Sequence, residues 1–247
     1  MASADHPWGG ARAVLFDLDG TLLDTAADIT VALNRALAEQ NLPALAMIEV
    51  RALVGRGVPP LIARALERFG AAANAADATL LLDRFRHHYE WIHEHGEIQT
   101  RVYAGVASGL ADLQAVGYRL AVVTNKPRGI AVDLLTRLSL GQWFEVVVGG
   151  DSGLPRKPHP HALLMACEEL GVRAAQALMV GDSQTDVLAA RGAALAGVVC
   201  VPYGYNEGAD PRALPCDAFV ESIGDLTALL SGAARSIELH PYQHARS

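Results

Sequence analysis

Short apolar runs, most of which stop on a polar or glycine residue, recur along this chain, and helix-forming segments separate them. Residues 14–17, 119–124, 145–150, 177–182, 197–201 and 218–220 read as strands, and 127–138, 161–170, 185–194 and 224–230 read as helices. Pro127 falls near the first turn of one helix and Gly171 closes another. Strands alternating with helices at this spacing require crossover connections, which produce a doubly wound parallel sheet. The rhythm is interrupted once. In residues 26–39 the apolar positions Ile29, Leu33, Ala36 and Leu37 follow helical spacing, and 46–53, 60–69 and 75–95 continue the helical reading. Gly55, Gly57, Pro59 and Pro60 mark a loop between them. The fold class is therefore α/β with an all-helical insert. The expected division is a discontinuous core of residues 1–25 and 95–230, an insert of 26–94, and a tail of 231–247 expected to be mobile.

Composition narrows the partners. Apolar residues make up 51% of the 247, enough for a substantial core, and the low 6% of aromatics leaves Ala, Leu, Val and Gly to fill it. A net charge of −7 excludes a broad basic face for nucleic acid. Cys167, Cys200 and Cys216 are odd in number and widely spaced, which argues against a disulfide framework or a zinc site. They read as small buried hydrophobes in a reducing compartment. Residues 1–10 lack the basic and apolar regions of a signal peptide, and no apolar run is long enough to span a bilayer. The expectation is a cytoplasmic monomer or homodimer with neither a nucleic-acid nor a membrane partner.

The chemistry gathers at the strand ends, where an open parallel sheet places its ligand crevice. Asp17 and Asp19 flank Leu18 at the end of the first apolar run, before a turn with Gly20 and Thr21. Such crowding of negative charge needs a positive partner, and a hard cation such as Mg²⁺ suits oxygen ligands. A phosphate held there would face a carboxylate nucleophile. Thr124 and Asn125 end the second strand, Lys157 lies in an Arg-Lys-Pro-His-Pro segment, and Asp182, Ser183 and Asp186 follow the 177–182 run. Singly these have bland readings. Asp182 and Ser183 could cap a helix, Lys157 could be a solvated loop charge, and Thr124-Asn125 could be a turn. The histidines His87, His88, His93, His95, His159, His161, His240 and His244 read as solvated surface.

Taken together, DLDGTLLDTAAD, VGRGVPPLIARAL, VVTNKP, RKPHP, GDSQTDVLAARGA and VPYGYNEG resemble the haloacid dehalogenase superfamily, and within it the phosphoglycolate phosphatases. The resemblance covers residues 14 to about 230. It implies a Rossmann-like core with an inserted cap domain and a Mg²⁺-dependent phosphatase. Asp17 would be the nucleophile. Asp19 would be the acid and base, with its backbone carbonyl on the metal. Thr124, Asn125 and Gly20 would hold the phosphate beside Lys157, and Asp182 would bind the metal directly. Asp186 would act through water or as support. A small phosphoester fits a capped site, with 2-phosphoglycolate foremost. Arg56 or Arg64 of the insert would take its carboxylate, although each also reads as a solvated arginine. Pyrophosphatase, sugar-phosphate phosphatase and phosphomutase activities stay open. Asp19 argues against a dehalogenase, because a halide needs no proton.

Overall fold

A computed structural model describes residues 7–70 and 75–232. Six parallel strands form one sheet: β1 (Ala13–Phe16), β4 (Arg119–Val123), β5 (Val146–Val148), β6 (Ala177–Gly181), β7 (Gly197–Cys200) and β8 (Ala218–Phe219), in spatial order β5-β4-β1-β6-β7-β8. β1 is central. Ala13 pairs with Arg119 of β4 on one side and with Ala177 of β6 on the other. Every β1 residue is buried, as a strand covered on both faces must be, and this explains why the run is continuously apolar.

The two-residue period of a strand divides the core in two. Val14 and Phe16 join Leu120, Val122, Leu178 and Val180 beneath α5 (Val106–Ala115), α6 (Arg128–Arg137) and α9 (Leu226–Leu230). Ala13 and Leu15 join Ala121, Val123 and Met179 beneath α7 (His161–Glu169) and α8 (Gln184–Gly192). The doubly wound α/β expectation is met. Cys167, Cys200 and Cys216 are free and buried.

Helices α1 (Ala26–Glu39), α2 (Met47–Arg51), α3 (Val58–Glu67) and α4 (Ala75–Glu94) occupy the interrupted stretch. They enclose an apolar cluster of their own, which includes Leu33, Leu37, Ile62, Leu66 and Leu81, and into which Tyr205 intrudes from a loop after β7. The chain leaves and re-enters the core at one place, because β2 (Leu23–Asp24) pairs antiparallel with β3 (Arg101–Val102). Sequence patterning reveals neither this short pair nor α5. Gly109 weakens the helical pattern of α5, yet a Cβ there would lie 2.4 Å from the Ile223 carbonyl oxygen. The residue that obscures the helix is the one that lets it pack against backbone. Among the described residues no helix is long and apolar enough to cross a membrane. The tail from 233 onward, with His240 and His244, and residues 1–6 lie outside the described residues.

Candidate active site

Asp17 follows β1, and the chain then turns sharply. Leu22 and Leu23 N–H groups donate to the Leu18 carbonyl, and Gly20 takes φ 88°. A Cβ on Gly20 would lie 2.4 Å from Asp182 Oδ2, so glycine is what allows the turn to meet the end of β6. Asp182 is fixed from both sides. Thr21 Oγ1 donates to its Oδ1 (3.0 Å) and Tyr205 N–H to its Oδ2 (2.7 Å). Asp186 lies at the start of α8. Its Oδ2 accepts from Ser183 N–H (3.1 Å), Ser183 Oγ (2.7 Å) and Asp182 N–H (3.3 Å), a capping arrangement that satisfies orphan donors at the helix start.

Lys157 Nζ sits between Asp17 Oδ1 (2.9 Å) and Asp186 Oδ1 (2.7 Å) and is buried with them. One oxygen from each of Asp17, Asp182 and Asp186 lies within 4.8 Å of the others. Three carboxylates against one ammonium leave two negative charges when all are ionised. Burial, reinforced by Asp186 and Asp182 and only partly offset by Lys157, holds the Asp17 carboxyl up at about 8. Burial and Asp186 push Asp182 up to about 7, against the lowering donors Tyr205 N–H and Thr21. Asp17 Oδ1 also lacks a well-directed hydrogen bond, its contact with Lys157 being an ion pair of poor angle. An all-oxygen donor set with two excess charges and an under-satisfied oxygen fits a hard divalent cation. Asp17, Asp182 and Asp186 each offer one oxygen to such an ion. Through its hydrogen bonds and ion pair, Asp186 also orients Lys157 and the turn.

The Asp19 carboxylate stands apart from this cluster. Its Oδ1 accepts from Thr25 Oγ1 (2.5 Å) and from Lys126 Nζ (2.8 Å). Burial alone would lower the Lys126 pKa; the facing Asp19 and the nearby Tyr89 overcome that and hold it raised. Lys126 is absent from the sequence-derived candidates, although its segment VVTNKP supplies Thr124 and Asn125. Thr124 is buried at the end of β4, and its Oγ1 accepts from Lys126 N–H (3.2 Å). Asp17, Asp19, Thr124 and Lys126 all line a cavity of about 350 Å³, roofed by Gly55, Gly57 and the α4 residues Phe85 and Tyr89.

Several expected placements need correction. Arg56 and Arg64 do not line the cavity. Arg56 Nε pairs with Glu207 Oε1 (2.8 Å) and Arg64 Nη1 with Glu207 Oε2 (3.2 Å), while Arg64 also donates to the Ala52 and Leu53 carbonyls. They clamp the loop after β7 to the helical segment. The Asn125 side chain is likewise committed. Its Nδ2 donates to the Gly55 and Lys157 carbonyls (3.0 Å each), and its Oδ1 accepts from Lys157 N–H (2.9 Å). Gly20 packs on Asp182 and does not line the cavity. His93 is buried, not solvated, with Nδ1 3.1 Å from Asp133 Oδ2 of α6.

Comparison with known proteins agrees with this arrangement. Residues 14–200 match the model of the haloacid dehalogenase-like hydrolases. A plasmid-encoded phosphoglycolate phosphatase of Cupriavidus necator is 48% identical over 233 residues, covering 94% of this chain and 97% of that one. The phosphoglycolate phosphatase of Nitrosospira multiformis is 43% identical, covering 89% and 95%. The crystal structure of a predicted phosphoglycolate phosphatase from Haemophilus somnus superposes with a TM-score of 0.80 at 31% identity, covering 88% and 96%. The chain belongs to the haloacid dehalogenase-like hydrolases and is a phosphatase of the phosphoglycolate phosphatase-like kind.

Proposed function

We propose that this phosphatase is Mg²⁺-dependent, works through an aspartyl-phosphate on Asp17, and hydrolyses 2-phosphoglycolate to glycolate and phosphate. The observation that carries the reading is the juxtaposition of two buried charge groups at the strand ends. One is Asp17 with Lys157, Asp182 and Asp186; the other is Asp19 with Lys126. Both Asp17 and Asp19 open on one roofed cavity of a size for a small ester. The full-length relatives named phosphoglycolate phosphatase support the choice of substrate.

The residues divide the reaction between them. An Asp17 oxygen attacks phosphorus while the ester P–O bond breaks. The departing electron pair stays on the alcohol oxygen, which takes the proton of Asp19. Water then attacks phosphorus and gives a proton to the Asp19 carboxylate, while the P–O bond to Asp17 breaks and its electron pair returns to the Asp17 carboxylate. Lys157 and the Thr124 hydroxyl offset charge that grows on the phosphoryl oxygens, and a water-poor site makes that worth more. Bound to Asp17 and Asp182, Mg²⁺ would supply the remaining neutralisation and polarise a phosphoryl oxygen. We assign helices α1–α4 the role of a cap that excludes large esters, and a reducing cytoplasm as the setting for three free thiols.

The test is phosphate release with Mg²⁺ or with chelator, over 2-phosphoglycolate, ethyl phosphate, a sugar phosphate and pyrophosphate. Activity that needs Mg²⁺ and ranks 2-phosphoglycolate first is expected. A higher kcat/KM for pyrophosphate or the sugar phosphate would overturn the substrate and leave the phosphatase chemistry standing.

A further inference from the structure

Two polar groups on the cavity wall have no place in the reaction as just described. Tyr89 of α4 is 4% exposed and lines the cavity, and its hydroxyl, beside the Lys126 ammonium, finds no acceptor among the described residues. Buried hydroxyls are normally satisfied; the Lys126 ammonium serves the oxygen of this one, and its O–H proton is left to seek an acceptor beside the cavity. Its ring is held by stacking on Phe85, with centroids 5.6 Å apart, which fixes where the hydroxyl points. Burial pushes its pKa up to about 12, so the phenol stays neutral and remains a donor. Facing it is Lys126, 7% exposed, with Nζ 5.0 Å from the centre of the Tyr89 ring and 2.8 Å from Asp19 Oδ1. An ammonium has three donors. Asp19 takes one and the Tyr89 hydroxyl oxygen a second, which leaves one for an acceptor in the cavity.

We infer that Lys126 and Tyr89 form an anion subsite that reads a carboxylate on the leaving alcohol, selecting esters in which that carboxylate is borne by the carbon next to the ester oxygen. The inference rests on the proposed hydrolysis of 2-phosphoglycolate and names the residues that would recognise that substrate. Connectivity supports it. Asp19 has to meet the ester oxygen to protonate it, and Lys126 adjoins Asp19 within one hydrogen bond. A carboxylate only two carbons from the ester oxygen therefore comes alongside Lys126 and under Tyr89. The other cations of the cavity sit at its mouth. Arg86 and Arg156 are exposed, and Arg156 Nε already donates to the Gly150 carbonyl (2.9 Å). Arg56 and Arg64 are turned to Glu207. A buried cation attracts an anion far more strongly than a solvated one, and a carboxylate enclosed without such a partner would oppose binding.

The experiment compares kcat/KM for 2-phosphoglycolate and ethyl phosphate in the parent, Lys126→Met and Tyr89→Phe, with competition by glycolate as a second readout. The parent should favour 2-phosphoglycolate strongly. Tyr89→Phe, nearly isosteric, should shrink that preference about tenfold and Lys126→Met about a hundredfold, and glycolate should compete more weakly with both. Tyr89→Phe carries the test if Lys126→Met folds poorly. A parent that does not distinguish the two esters overturns the substrate reading, and the subsite falls with it. A parent preference that survives in both variants, or losses equal on both esters, overturns the subsite and leaves the substrate reading intact. Equal losses would mean that Lys126 only positions Asp19.

Discussion

The floor and the roof of the cavity are held by opposite means. Asp17 lines the floor, with Lys157, Asp182 and Asp186 buried behind it, and each is gripped by backbone N–H groups, hydroxyls or an opposite charge at the ends of β1 and β6. In the roof, α1–α4 pack through an apolar cluster. Polar ties from that roof to the core include Asn125 to Gly55, His93 to Asp133, and Glu207 to Arg56 and Arg64. The contrast fits the different work proposed for the two parts. A fixed field for phosphoryl transfer requires charges that cannot relax. A lid that admits and releases a small ester requires contacts weak enough to break.

The largest effect should come from the centre of the floor. Asp17→Asn replaces the nucleophile by a near-isosteric amide, and phosphate release should fall by about 10³-fold or more. The same substitution removes a carboxyl whose ionisation burial disfavours, so at pH 9, where Asp17 is charged, the metal-free variant should be more resistant to urea than the parent. An active variant, shown free of deamidation, would remove Asp17 from the mechanism. Lys157→Met should come next, through stability. It takes the one ammonium from between Asp17 and Asp186, and breaking a buried pair in this way costs about 3–5 kcal/mol. Urea unfolding measures that loss. A cost under about 1 kcal/mol would make the floor no more electrostatic than the roof.

Metal and pH sharpen the same contrast. Asp17 and Asp182 have folded pKa values raised to about 8 and about 7, above the ordinary 3.8. A raised carboxyl stabilises the fold below its unfolded pKa, and that contribution is lost as pH climbs through the folded value. Metal-free protein should therefore weaken from about pH 4 to about pH 8. Mg²⁺ has protons to displace at pH 6 and none at pH 9, so it should raise Tm more at pH 9. At a hundredfold excess over Kd the stabilisation is about 2.7 kcal/mol, or roughly 5–10 °C for a chain of this size. Thermal melts with Mg²⁺ and with chelator at both pH values give the comparison. An equal shift at pH 6 and pH 9 would mean that the metal does not replace protons on these carboxyls.

The floor was largely legible in the sequence and the roof was not, for a physical reason. Asp17, Thr124 and Asp182 end apolar runs, and strand alternation alone brings such ends together in a parallel sheet. Asp186 lies four residues beyond Asp182, and local helix geometry brings it back to the cap. The roof depends on contacts that no local pattern encodes. Arg56 and Arg64 meet Glu207 from far away in the chain. Lys126 follows the strand-end Thr124 closely, but its burial depends on Tyr89 of α4, so no periodicity marks it as interior. His93 reads as surface in a histidine-rich stretch and is buried because α6 covers it. A lysine immediately after a strand-end Thr-Asn pair was the available signal for Lys126.

The smallest effect should come from the clamp between roof and core. Glu207 receives both Arg56 and Arg64, but the Arg56 side chain is 57% exposed, and Arg64 keeps its bonds to the Ala52 and Leu53 carbonyls if Glu207 loses its charge. Ion pairs open to solvent contribute about 0.2–1 kcal/mol and are screened by salt. Glu207→Gln should thus lower stability by no more than about 1 kcal/mol. If the lid opens more often, KM for the substrate should rise by at most about fivefold with little change in kcat. Added salt should move parent KM toward that of the variant, because screening acts on the same contact, whereas the buried pairs of the floor should respond much less. Steady-state kinetics at low and high ionic strength, alongside urea unfolding, separate these outcomes. If Glu207→Gln costs as much stability as Lys157→Met, or lowers kcat as steeply as KM rises, then the roof is fixed by charge in the manner of the floor, and the division between a rigid field and a releasable lid does not hold.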